Sequence, residues 1–178
     1  MIETQEFDMD QREALIHAVS AECRSGRYHV IGIDGYPGTG KSNLAYTIAS
    51  ITRMNVINFD DFVKPKQDSY VSSLHVEIMR ARIDVIKSQG LILEGLCMLE
   101  VIELMEIKIS TLIYCKEISE GTRIWHDGQR YDPEYAELVS HQEIGLDAEV
   151  KKYHEKYRPW EKAKYIFNLF NQRKGIDR

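Results

Sequence analysis

HVIGIDGYPGTGKS, residues 29–42, joins a short apolar run to a glycine-rich loop. The run HVIGID has the length and composition of a strand buried on both faces. Behind it GYPGTGKS, Gly35 to Ser42, satisfies the pattern G-x-x-x-x-G-K-[ST] in full, and Leu44, Ile48 and Ile51 then recur at helical spacing. Strand, glycine loop and helix is the context that this phosphate-binding (Walker A) motif requires. Gly38 and Gly40 let the backbone wrap closely so that successive N–H groups point inward, and the helix starting near Lys41 adds the positive end of its dipole. The expected nucleotide contacts are Gly35, Tyr36, Pro37, Gly38, Thr39, Gly40, Lys41, Ser42 and Asn43, with Pro37 offering no N–H. Lys41 is expected to reach the β- and γ-phosphates and the Ser42 hydroxyl to ligate magnesium, so ATP and Mg2+ are the expected cofactors.

Outward from this unit, strand and helix alternate. A leading helix is predicted behind Asp10-Gln-Arg-Glu13, which has the form of a capping box, with Leu15, Ala18 and Val19 as its apolar stripe. Four further runs have strand length: NVINF before Asp60, LILEG ending at Gly95, STLIYC ending at Cys115, and AKYIFNLF near the C-terminus. Between the first two, a helix is predicted from Val71, Leu74, Ile78, Ala81 and Val85, and a short one follows over Met98 to Met105. Asp132-Pro133 reads as a helix start, and Pro159 ends the helix that reaches Tyr157. Five strands separated by helices predict an α/β, three-layer sandwich around a parallel sheet.

The 178 residues carry no repeat, linker or Gly/Ser tract, so a single domain over 1–178 is expected. No run approaches the ~20 apolar residues of a bilayer span, and the acidic N-terminus lacks the basic-then-apolar order of a secretory signal. A cytoplasmic protein with no membrane partner is the expectation. Three widely spaced cysteines, Cys23, Cys97 and Cys115, predict free thiols rather than a disulfide framework or a zinc site. A net charge of -5 argues against nucleic acid as a partner.

If the bound nucleotide is to phosphorylate a small alcohol, a carboxylate must take the proton that the hydroxyl loses. Asp60 and Asp61 stand at a predicted strand end, on the side where ligands gather in a doubly wound sheet. Alternation along a strand would let one of the two serve, and the competing reading is a solvated turn. Glu94 ends an apolar run that should be buried, where a carboxylate needs a partner, and magnesium would be one. Lys64 and Lys66 could meet an anionic acceptor or face solvent. The tyrosines, Trp125 and Trp160 could stack on a base or pack.

These residues resemble the uridine kinase-like P-loop kinases, a family that includes nicotinamide riboside, phosphoribulose and pantothenate kinases. GIDGYPGTGKS is similar to the family's first strand and phosphate loop, NFDDFVKP to its Asp-[Asp/Ser]-Phe segment, LILEGL to its Glu-Gly strand, and KYHEKYRPWEKAKYIF to the lead into its last strand. The resemblance implies a P-loop containing nucleoside triphosphate hydrolase fold with five parallel strands in the order 2-3-1-4-5. It also implies Asp60 as catalytic base, Glu94 as a holder of magnesium, and a helical lid over about 116–131. In the family the lid often carries R-x-x-R-D. RIWHD stands here, which gives Arg123 a catalytic role on the phosphoryl group and puts His126 where a second arginine is expected, with Arg130 about one turn on. The loop KPKQDSYVSSLH lacks the signature of the uridine-binding region, so the acceptor implied is a small nucleoside-like, sugar or vitamin-like hydroxyl compound. A homodimer is compatible with this reading. The competing functional class is a nucleotide-binding regulatory P-loop protein with weak or no transfer.

Overall fold

The computed structural model describes residues 3–24, 29–65, 69–119, 121–125, 128 and 145–170. Its centre is a parallel sheet of six strands: β1 (Gln5–Asp8), β2 (Val30–Gly35), β3 (Asn55–Asn58), β4 (Leu91–Glu94), β5 (Thr111–Ile118) and β6 (Tyr165–Phe170). The order across the sheet is β1-β6-β5-β2-β4-β3. The sheet has six strands where five were expected, and its full order departs from 2-3-1-4-5 by the strand added at one edge. The additional strand, β1, comes first in the chain and pairs with β6 at the sheet edge, from Gln5 opposite Tyr165 to Asp8 opposite Asn168. The five runs read from the sequence are β2 to β6, and they lie side by side as β3, β4, β2, β5 and β6. An edge strand needs no apolar alternation to be held, and QEFD has only Phe7 to bury, so periodicity could not reveal it.

Two buried faces explain why the central strands read as continuous apolar runs. Val30, Leu91, Leu93, Leu112, Tyr114 and Ile166 point to one layer, while Ile31, Ile33, Ile92, Ile113, Cys115 and Phe167 point to the other, in strict alternation. The second layer is closed by α1 (Arg12–Cys23) and α2 (Lys41–Thr52), through Leu15, Ile16, Val19, Leu44, Ala45 and Ile48. Across the sheet lie α3 (Tyr70–Ser73), α4 (Val76–Ile86) and α5 (Met98–Leu104). The helices α6 (Leu146–Tyr157) and α7 (Pro159–Lys162) precede β6, and Pro159 occupies the first turn of α7. No helix among the described residues is long and apolar enough to cross a membrane. All three cysteines are free thiols, with Cys97 and Cys115 buried and Cys23 half-buried.

The helix predicted across Val71 to Val85 is two helices. Leu74 is extended (φ -71°, ψ 137°), the Lys64 amide donates to Ser73 O at 2.8 Å, and the His75 amide donates to Phe62 O at 2.8 Å. These bonds to the loop behind β3 interrupt the helix and reset its phase. Met79 (0% exposed) and Ile83 face the core, whereas Ile78 and Val85 are 58% and 75% exposed. Met79→Ala is therefore expected to lower unfolding free energy by about 2–5 kcal/mol. Ile78→Ala should change it by less than about 0.5 kcal/mol, both measured by urea denaturation.

Candidate active site

The phosphate loop begins where β2 ends. Gly35 approaches β5 so closely that a Cβ there would lie 2.4 Å from Cys115 O. Gly38 and Gly40 have φ of 83° and 74°, in the left-handed region, and Gly40 hands the chain to α2. Beneath the loop, the Thr39 hydroxyl and the Lys41 ammonium each donate to Tyr36 O at 2.7 Å. Pro37, Gly38, Gly40, Lys41, Ser42 and Asn43 line a cavity of about 380 Å³ with Asp60, Glu94, Gly95 and Leu96. Gly35, Tyr36 and Thr39 are buried and support the loop from below. Asn43 meets Arg12 of α1 through its side chain and through its carbonyl, the latter at 3.2 Å.

Lys41 is 7% exposed. Burial pushes its pKa down, opposed by Cys115 and by three carboxylates around it, Asp34, Glu94 and Asp60. Glu94 is 2% exposed, and burial raises its pKa, opposed by the neighbouring Ser42 hydroxyl and Lys41. One oxygen of Glu94, Oε1, is buried without a hydrogen-bond partner. An orphaned carboxylate oxygen beside a serine hydroxyl and a phosphate cradle fits a hard cation such as magnesium. No group of three or more His, Cys, Asp or Glu ligands is assembled among the described residues. Magnesium needs none, since it is usually held by one or two carboxylates with phosphate oxygens and water. The close approach of the Glu94–Gly95 turn to β3 depends on glycine, because a Cβ on Gly95 would lie 2.6 Å from the Phe59 ring.

Asp60 and Asp61 are separated by a mechanism other than strand alternation. β3 ends at Asn58, and Phe59–Phe62 form a single 3-10 turn in which the Asp60 amide donates to Asn58 Oδ1 at 2.8 Å. The turn aims Asp60 at the cavity, while Asp61 is exposed and outside it. Tyr70 donates its hydroxyl to Asp60 Oδ1 at 2.7 Å.

Arg123 lies elsewhere. The first part of the expected lid, Lys116 to Ile118, belongs to β5. Arg123 holds a left-handed backbone (φ 59°) and binds Asp8 of β1 through both terminal nitrogens, at 2.5 and 2.9 Å. That pair holds the Asp8 carboxyl below its ordinary range, aided by Asn168. His126, Arg130, Lys66 and the Asp132-Pro133 helix start lie outside the described residues. Trp125 and Trp160 pack against each other at 5.1 Å between centroids, and Tyr114 lies edge-on to both at 5.9 and 6.1 Å.

Sequence reasoning passed over Asp34, the acid inside HVIGID. It is 0% exposed and accepts from the Gly35 amide at 2.8 Å and from the Tyr153 hydroxyl. The Leu99 amide donates in turn to the Tyr153 hydroxyl at 3.0 Å. The carboxylate thus ties the root of the loop to α5 and α6. The signal was present: a carboxylate within a doubly buried strand needs partners, as argued for Glu94.

Burial raises Asp34 to about 6, and it lowers His154, stacked on Tyr36 at 4.3 Å, to about 4. Folded Asp34 holds its proton more tightly than unfolded Asp34, so it weakens the fold as pH rises from about 4 to about 6. His154 has the opposite sign, because the unfolded chain binds the extra proton, and it strengthens the fold over the same window. The two slopes offset each other. Asp34→Asn removes one of them, so the stability of the variant relative to wild type should grow by about 2 kcal/mol between pH 4 and 6 in denaturation curves.

Comparison with protein families and with curated protein sequences gives no match for this chain. Solved structures do resemble it, and two are described as follows. One is described as a possible uridine kinase from Bacillus stearothermophilus, with a TM-score of 0.55 and 14% identity over 89% of this chain and 100% of that one. The other is described as a putative fructose transport system kinase from a Silicibacter species, with a TM-score of 0.46 and 14% identity over 88% of this chain and 98% of that one. The first likeness establishes a shared fold.

Proposed function

We propose that this chain is a uridine kinase-like P-loop kinase that uses ATP and Mg2+ to phosphorylate a hydroxyl of a small metabolite, nucleoside-like, sugar or vitamin-like. The observation that carries this reading is the meeting of Asp60 and Glu94 with Lys41 and Ser42 around one cavity. A phosphate cradle alone would serve a switch protein; a carboxylate facing it supplies the acceptor-side base that transfer to an alcohol needs.

The loop amides and Lys41 bind and orient the triphosphate. Ser42 and Glu94 would hold magnesium, which when bound neutralises charge on the phosphates. Asp60 takes the acceptor's proton at its cavity-facing carboxylate. The partner is a small molecule rather than nucleic acid or membrane, and the place of action is the cytoplasm.

The second reading, a regulatory nucleotide-binding protein, is favoured by the Arg123–Asp8 pair, which engages the expected lid arginine away from the cavity-lining residues. ADP release from MgATP across nucleosides, sugars, sugar phosphates, pantothenate and other vitamin-like alcohols decides between them. A kinase shows release stimulated by an acceptor. ATP binding with no acceptor above the ATP-only background supports the regulatory reading.

A further inference from the structure

The acceptor side holds a second built feature that neither the phosphate loop nor the magnesium site explains. The Tyr70 hydroxyl reaches the acceptor-side base: it donates to Asp60 Oδ1 at 2.7 Å. Burial and the contact with Asp60 push the Tyr70 phenol far above its ordinary pKa, so it stays a donor.

What fixes Tyr70 is equally specific. Its helix, α3, is a single turn of four residues, too short to hold itself. The turn is capped by a carboxylate from a distant element. Glu149 of α6 accepts from the Tyr70 amide at 2.5 Å, from the Val71 amide at 3.0 Å and from the Ser69 hydroxyl at 2.8 Å. An anion at a helix N-terminus satisfies donors that otherwise lack partners and meets the positive end of the dipole.

We propose that Tyr70 is a positioning residue for the acceptor-side base, and that Glu149 sets it by capping α3, so that α6 controls the geometry of Asp60. The proposal rests on the kinase reading above. One oxygen of Asp60 is occupied by Tyr70, which leaves the other for the acceptor's proton. The chain from Glu149 through α3 to Asp60 makes α6 the element whose displacement would disarm the base.

The test is a double-mutant cycle on the full chain, with MgATP and the acceptor that stimulates ADP release best in wild type. Tyr70→Phe is expected to lower kcat by about 5- to 20-fold while KM for ATP stays within about twofold, since only the base is misplaced. In an Asp60→Asn background the same substitution should have no further effect, because Tyr70 acts through Asp60. Glu149→Gln should lower kcat in the same direction and speed amide hydrogen exchange at Tyr70 and Val71 by about tenfold or more. A Tyr70→Phe enzyme as fast as wild type, or one whose loss persists undiminished in the Asp60→Asn background, overturns the positioning role. Unchanged exchange in Glu149→Gln overturns the role of Glu149. If wild type transfers to no acceptor, the kinase reading itself falls and takes this proposal with it; transfer by wild type with an additive cycle refutes the proposal alone.

Discussion

Asp60→Asn is expected to slow phosphoryl transfer by about 10²-fold or more while leaving ATP affinity unchanged or slightly tighter. The substitution keeps the side chain's shape and lets Tyr70 still donate to Oδ1, so the 3-10 turn over Phe59–Phe62 is not disturbed. What it removes is the capacity to take a proton. It also removes one negative charge from the cavity that the proposed function gives to a polyphosphate, which is why binding should not suffer. Steady-state kinetics paired with nucleotide titration measure both quantities. A variant that turns over at the wild-type rate would mean that another group is the base.

Lys41→Met should lower kcat/KM for ATP by about 10²- to 10³-fold, the scale seen when one preorganised group facing developing charge is lost. Lys41 is 7% exposed and surrounded by Asp34, Glu94 and Asp60, and its ammonium donates to Tyr36 O at 2.7 Å. Methionine matches the length of the buried stem, so the loop should keep its shape and the loss should be electrostatic. A rate within about threefold of wild type would place the phosphates somewhere other than this loop.

The local parts of the fold were legible in the sequence and the non-local parts were not. The β2–loop–α2 unit rests on contiguous signals: an apolar run, glycines in left-handed conformations and a helical stripe at Leu44 and Ile48. β1 gave no such signal, because an edge strand with one apolar residue is defined by its ladder to β6. The break between α3 and α4 is likewise set by bonds from the loop behind β3, which propensity does not record. Asp60 and Glu94 were readable because both stand at strand ends. Tyr70 and Glu149 were not, since residues 79 positions apart have no shared local pattern. Arg123 was picked out by its motif, yet its guanidinium is engaged by Asp8, a residue of the strand that the sequence did not reveal.

The claim that ATP held by this loop gives its γ-phosphoryl group to an alcohol is tested most directly by following the label from ATP carrying radioactive phosphorus at the γ position. With wild-type protein and a stimulating hydroxyl compound, the label should appear on that compound in step with ADP, and Asp60→Asn should abolish this. Label appearing only as inorganic phosphate, at one rate with and without every compound offered, would contradict it.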